Sequence, residues 1–89
     1  VRQVAVDYGP KLRINSICPG PVDTPMIWDS AKAFPDPKQA VNQAADATLM
    51  KRLGTPKDVA DLALFLATES SGWITGSSFN IDGGIMARG

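Results

Sequence analysis

Two short strand-like segments lie far apart in the sequence with a well-signalled helix between them, and this spacing limits the fold more than any other feature. The first, Arg13-Ile14-Asn15-Ser16-Ile17-Cys18, has the length and apolar content of a strand and stops at Pro19-Gly20-Pro21. The second, Ser77-Ser78-Phe79-Asn80-Ile81, ends in the turn Asp82-Gly83-Gly84. Between them Thr55-Pro56-Lys57-Asp58 opens a helix: Thr caps, Pro suits the first helical position, and Asp lies near the positive end of the helix dipole. Strands joined through a helix pair in parallel by a right-handed crossover. Val1, Val4, Ala5 and Tyr8 form one helical stripe ahead of the first strand. Gly9-Pro10 is expected to end it, with Gly9 in the left-handed region, and the segment reads as the last turns of a helix that began before residue 1. The order is helix, strand, excursion, helix, strand, an α/β pattern. Two parallel strands need covered faces and neighbouring strands, so the chain reads as the edge of a larger doubly wound sheet.

The excursion runs from about residue 24 to 52. Pro25, Pro35 and Pro37 interrupt it, and Met26, Ile27, Trp28 and Phe34 follow no long period. A helix from about Pro37 to Met50 is expected, because Ala40, Val41, Ala44, Ala45, Thr48 and Leu49 share a face. An insertion of this length between regular elements reads as a lid. In the next helix, Val59, Leu62, Ala63 and Leu66 form one stripe while Ala60, Leu64, Phe65 and Ala67 extend it, so more than one side should be covered.

Composition excludes several chemistries. The chain has 89 residues and no histidine, which removes Ser-His-Asp triads, Cys-His dyads and most zinc patterns. Its single cysteine, Cys18, fits a reducing, cytoplasmic setting. Nine basic and nine acidic residues cancel, so neither nucleic acid nor an anionic membrane surface is indicated. The longest apolar stretch, Val59 to Ala67, is too short to span a bilayer, which takes roughly 20 residues.

Three stretches in register resemble the short-chain dehydrogenase/reductase family. Asn15-Ser16-Ile17-Cys18-Pro19-Gly20-Pro21-Val22-Asp23-Thr24-Pro25-Met26 is similar to its Asn-x-x-x-Pro-Gly-x-x-x-Thr segment. Arg52-Leu53-Gly54-Thr55-Pro56-Lys57-Asp58-Val59-Ala60 is similar to its Arg-x-Gly-x-Pro helix start. Ile74-Thr75-Gly76 followed by Ile81-Asp82-Gly83-Gly84 resembles its Ile-Thr-Gly...Val-Asp-Gly-Gly ending. The resemblance covers about Val4 to Gly84. It implies that residues 1–89 form the C-terminal part of a single Rossmann-type domain: its last two parallel strands, the lid and the crossover helix, without the cofactor-binding and catalytic half.

The resemblance also assigns roles. Pro19 and Gly20 would sit beside the nicotinamide ring of NAD or NADP, beyond the carboxyl end of a strand as in other open α/β sheets. The Val22 backbone and the Thr24 hydroxyl would hold the carboxamide, an amide that offers both a donor and an acceptor. Met26 and Trp28 would cover the substrate. The plainer alternatives are a turn at Pro19-Gly20-Pro21, a helix cap at Thr24, and lid packing for Met26, Trp28 and Phe34. Lys51-Arg52 reads as a solvated helix flank. The helix at 56–69 and the strand at 77–81 resemble the surfaces through which such enzymes form homotetramers.

The family's catalytic Ser and Tyr-x-x-x-Lys and its glycine-rich cofactor loop do not occur in this sequence. Tyr8-Gly9-Pro10-Lys11 is one residue too short and is broken by Gly9-Pro10, so no catalytic residue is assigned. Lys11-Leu12-Arg13 is one residue shorter than is usual in the family and is expected to touch no site. The resemblance implies hydride transfer between a secondary alcohol or ketone and the nicotinamide in the complete protein. The 89 residues alone are expected to be inactive. The alternative is a truncated, non-catalytic interaction module.

Overall fold

The computed structural model describes residues 1–88. The elements are α1 (Arg2–Tyr8), β1 (Ser16–Pro19), α2 (Pro25–Ala31), α3 (Pro37–Ala47), α4 (Pro56–Ala67) and β2 (Ser78–Ile81), with 3-10 turns at Glu69–Ser71 and Ile85–Arg88. β1 and β2 pair in parallel, with Ser16 opposite Ser78 and Pro19 opposite Ile81. The ladder is extended by Ser16 N–H to Ser77 O at 2.9 Å and Gly20 N–H to Ile81 O at 3.0 Å.

α4 ends at Ala67 rather than 69, β2 begins at Ser78 rather than Ser77, and three further differences from the sequence-based expectation have a visible cause. β1 covers Ser16–Pro19 rather than Arg13–Cys18, because side chains take over the preceding bonds. Ile14 N–H reaches Thr75 Oγ1 at 3.1 Å, and Asn15 bonds Ile74 O and Ser77 N–H through its amide. α3 stops at Ala47, short of the expected Met50. Thr48 turns to extended backbone and donates its hydroxyl to Ala45 O at 2.8 Å, and the Leu49 and Met50 N–H groups go to Gly83 O. Gly9 lies at φ −67°, ψ 147°, not in the left-handed region, because the chain leaves α1 extended into Pro10. A further helix, α2, stands inside the lid where no regular period was visible.

The start of α4 is as expected. Thr55 Oγ1 accepts from Asp58 N–H at 3.1 Å while Asp58 Oδ2 accepts from Thr55 N–H at 2.8 Å, a complete capping box.

Buried apolar side chains are few. Among the described residues only Ala31 and Val41, each 4% exposed, are fully buried hydrophobes, and they belong to α2 and α3 of the lid. The radius of gyration is 16.0 Å, against about 12 Å for a compact domain of this length. Leu64 and Phe65 of α4 and the indole of Trp73 (98% exposed) face outward. This layout, a parallel pair with lid and crossover helix but no central core, is the edge of a larger sheet. Among the described residues, no helix is long and apolar enough to cross a membrane.

Candidate functional site

The site grows from the carboxyl end of β1. Gly20 passes so close to the end of β2 that an added Cβ would stand 2.7 Å from Asp82 Cβ and 2.8 Å from Asp82 Cα. Only glycine lets the two strand ends meet there.

Beyond Gly20 the chain forms a neck. Val22 and Gly54 make a parallel bridge, with Gly54 N–H to Pro21 O and Asp23 N–H to Gly54 O, both 2.9 Å. This pattern uses the groups flanking Val22, so Val22's own N–H and C=O point to the opposite edge. The excursion expected at about residues 24–52 leaves and returns through this neck.

Thr24 occupies the N-cap position of α2, yet its side chain makes no cap bond. Its hydroxyl reaches only the Val22 carbonyl, at 3.4 Å, near the limit of a hydrogen bond. The cap that the sequence allowed as an alternative is therefore not formed.

Pro19, Gly20, Val22, Thr24 and Met26 line one open cavity of about 580 Å³ together with Pro21, Ile27, Ser30, Pro56 and Val59. No ionisable side chain is among them. The structure thus brings the four proposed cofactor residues and Met26 together. Trp28 stands apart from that cavity: its Nε1 donates to Asp23 Oδ1 at 2.9 Å. Phe34 lines a separate space of about 250 Å³ between α2 and α3, as lid packing requires.

The charged groups near the site are engaged elsewhere. Arg52 Nη1 bonds Asp58 Oδ2 and Leu53 O, both at 2.9 Å, and Lys51 Nζ bonds Asp46 O at 2.9 Å near the end of α3. Both fit the helix-flank reading. The Arg52 pair and the Thr55 N–H hold the Asp58 carboxyl down to about 2. Tyr8 and Lys11 flank the Gly9–Pro10 break and are exposed. Among the described residues, no three or more His, Cys, Asp or Glu gather to hold a metal.

Two contributors were missed in the sequence. Asp23 had no assigned role, although Asp23 and Trp28 flank the Thr-Pro start of α2 at N-terminal staple spacing. The strand reading of residues 13–18 gives Arg13 no partner beyond the ladder. Its guanidinium instead donates to Ser71 O, Ile74 O, Leu66 O, Thr68 O and Ser71 Oγ at 3.0–3.3 Å. A lone arginine before a strand gave no local signal of this.

A family model described as enoyl-(acyl carrier protein) reductase matches residues 1–86. An uncharacterized oxidoreductase of Mycobacterium tuberculosis is 41% identical over 80 residues, covering 90% of this chain and 30% of that protein. Dehydrogenase/reductase SDR family member 6 of Xenopus laevis is 40% identical over 79 residues, covering 89% and 31%. The ligand-free aldohexose dehydrogenase of Thermoplasma acidophilum superposes with a TM-score of 0.93 at 32% identity, covering 99% of this chain and 36% of that one. The chain therefore spans about a third of the length of the relatives it matches.

Proposed function

The chain belongs to the short-chain dehydrogenase/reductase family, and we propose that within the full-length protein it orients the nicotinamide of NAD or NADP and covers the substrate during hydride transfer to or from a secondary alcohol or ketone. The observation that carries this reading is a set of weakly engaged groups at the neck, where the Thr24 hydroxyl makes only a 3.4 Å bond to the Val22 carbonyl. The Val22 N–H and C=O are turned away from Gly54, and the neighbouring Thr24 hydroxyl is left out of its helix cap. A carboxamide needs a donor and an acceptor side by side, so these groups fit the cofactor.

When bound, the nicotinamide supplies or accepts the hydride. The residues present here do the rest of their share. Gly20 lets β1 and β2 close at the ring's edge, Val22 and Thr24 fix the carboxamide and hence the ring face, and Met26 and Ile27 exclude water from above. The proton chemistry belongs to groups outside this sequence. The likeness to an aldohexose dehydrogenase puts sugars beside simple alcohols among the substrates to try. The exposed Leu64 and Phe65 of α4, with the β2 edge, support assembly as a homotetramer, in the cytoplasm.

The test uses the full-length protein. NADH and NADPH binding is followed by nicotinamide fluorescence, and oxidation of alcohols and sugars by nicotinamide absorbance. Thr24→Val should weaken cofactor binding about threefold to tenfold, the worth of one hydrogen bond. A full-length protein that binds neither dinucleotide would overturn the reading. Ultracentrifugation gives the subunit number, and a monomer would remove the assembly part alone.

A further inference from the structure

We infer that Asp23 and Trp28 form a polar staple whose role is to free the Thr24 hydroxyl for its ligand, so that both are positioning residues. This rests on the nicotinamide reading above.

The case comes from comparing helix starts. Three helices of this chain begin with the same local chemistry, a polar residue followed by proline: Thr24-Pro25, Asp36-Pro37 and Thr55-Pro56. In α3, Asp36 accepts from Gln39 N–H at 3.2 Å. In α4, Thr55 accepts from Asp58 N–H at 3.1 Å. In α2 alone among these three the cap side chain stays out. There the Ile27 N–H bonds the Thr24 backbone carbonyl at 3.2 Å instead.

Something else must then hold the first turn of α2. Asp23 is the residue before the cap and Trp28 is the fourth helical residue, the two positions that a hydrophobic staple joins. Here they are joined by a hydrogen bond, Trp28 Nε1 to Asp23 Oδ1 at 2.9 Å. Asp23 is itself fixed, because its N–H bonds Gly54 O in the neck. The staple therefore ties the lid helix to the backbone on either side of Thr24. The entry angle of α2 is set without the Thr24 hydroxyl, whose one bond, to the Val22 carbonyl at 3.4 Å, is long enough for a ligand to replace.

The experiment is a double-mutant cycle in the full-length protein, read by the dissociation constant of the reduced dinucleotide. Trp28→Phe keeps an aromatic ring and removes the N–H. It should weaken binding about threefold to tenfold in the native background and much less when Thr24 is already Val. Asp23→Ala should behave as Trp28→Phe does, whereas Asp23→Asn, whose amide oxygen still accepts, should restore binding. The Asp23 pair also gives the answer if Trp28→Phe folds poorly. An equal loss in both backgrounds would overturn the staple and leave the nicotinamide reading intact. No loss from Thr24→Val itself would instead remove that reading's role for Thr24, and the staple's role with it.

Discussion

Arg13 and Ser71, 58 positions apart, are joined by two bonds from one guanidinium nitrogen: Nη1 donates to the Ser71 carbonyl at 3.0 Å and to its hydroxyl at 3.2 Å. Ser71 is 1% exposed, and its hydroxyl also meets Leu66 O and Thr68 O at 3.0 Å. The carbonyls at the end of α4 lack intrahelical partners and carry partial negative charge. Arg13, just ahead of β1, thus caps α4 from the far side of the crossover and fixes where β2 begins.

Arg13→Ala should therefore destabilise the full-length protein by about 2–3 kcal/mol, since it strips a charged donor from several carbonyls at once. Arg13→Lys should recover only part of this, because a single ammonium cannot reproduce the planar fork. Chemical denaturation measures both. A loss below about 0.5 kcal/mol, ordinary for a surface change, would show that the cap is dispensable.

Acid should weaken the start of α4 in a defined window. Bonds from Arg52 and Thr55 lower the Asp58 carboxyl from 3.8 to about 2. The folded state thus favours the carboxylate. Its contribution is complete above the ordinary value and is lost as pH falls towards 2. The difference in thermal midpoint between the native protein and Asp58→Asn should shrink through that window. A difference constant in pH would mean that neither the Arg52 pair nor the Thr55 bonds contribute.

Gly20→Ala should cost about 1–3 kcal/mol, a typical overpacking penalty, because the added Cβ meets the Asp82 backbone and Cβ rather than the end of a flexible chain. Dinucleotide affinity should fall with it, since the two strand ends would separate beneath the proposed ring site. Alanine tolerated here without change in stability or affinity would contradict the packing.

The 89-residue chain by itself should show no cooperative thermal transition by circular dichroism. Among the described residues the fully buried hydrophobes are two lid residues, Ala31 and Val41, and the sheet has two strands, too little to offset the chain entropy. A sharp, reversible transition would show that the packed α2 and α3 and the strand pair suffice. Supplying the remainder of the protein as a separate chain should restore cooperativity if the exposed faces of β1, β2 and α4 are where it packs.

What the sequence determined is what local chemistry encodes. Thr55, Pro56 and Asp58 specify the start of α4 within one turn of chain. The helix between two strand segments requires parallel pairing, and Gly20-Pro21 closes β1 just past its last residue, Pro19. The residues proposed around the nicotinamide could be named only because this short segment resembles the family's, not from local chemistry. Tertiary structure decided what depends on distant partners. β1 begins at Ser16 because Ile14 and Asn15 are bonded by residues 74–77. α3 ends at Ala47 because Gly83 takes the next two N–H groups. α2 forms from Met26, Ile27 and Trp28, a run with no helical stripe, because Asp23 holds its first turn and Ala31 is buried with Val41 of α3 in the lid. Arg13 caps a helix more than fifty residues ahead of it. A propensity or a cap is read within a few residues, whereas a hydrogen bond closed across the crossover exists only once the chain has folded back on itself.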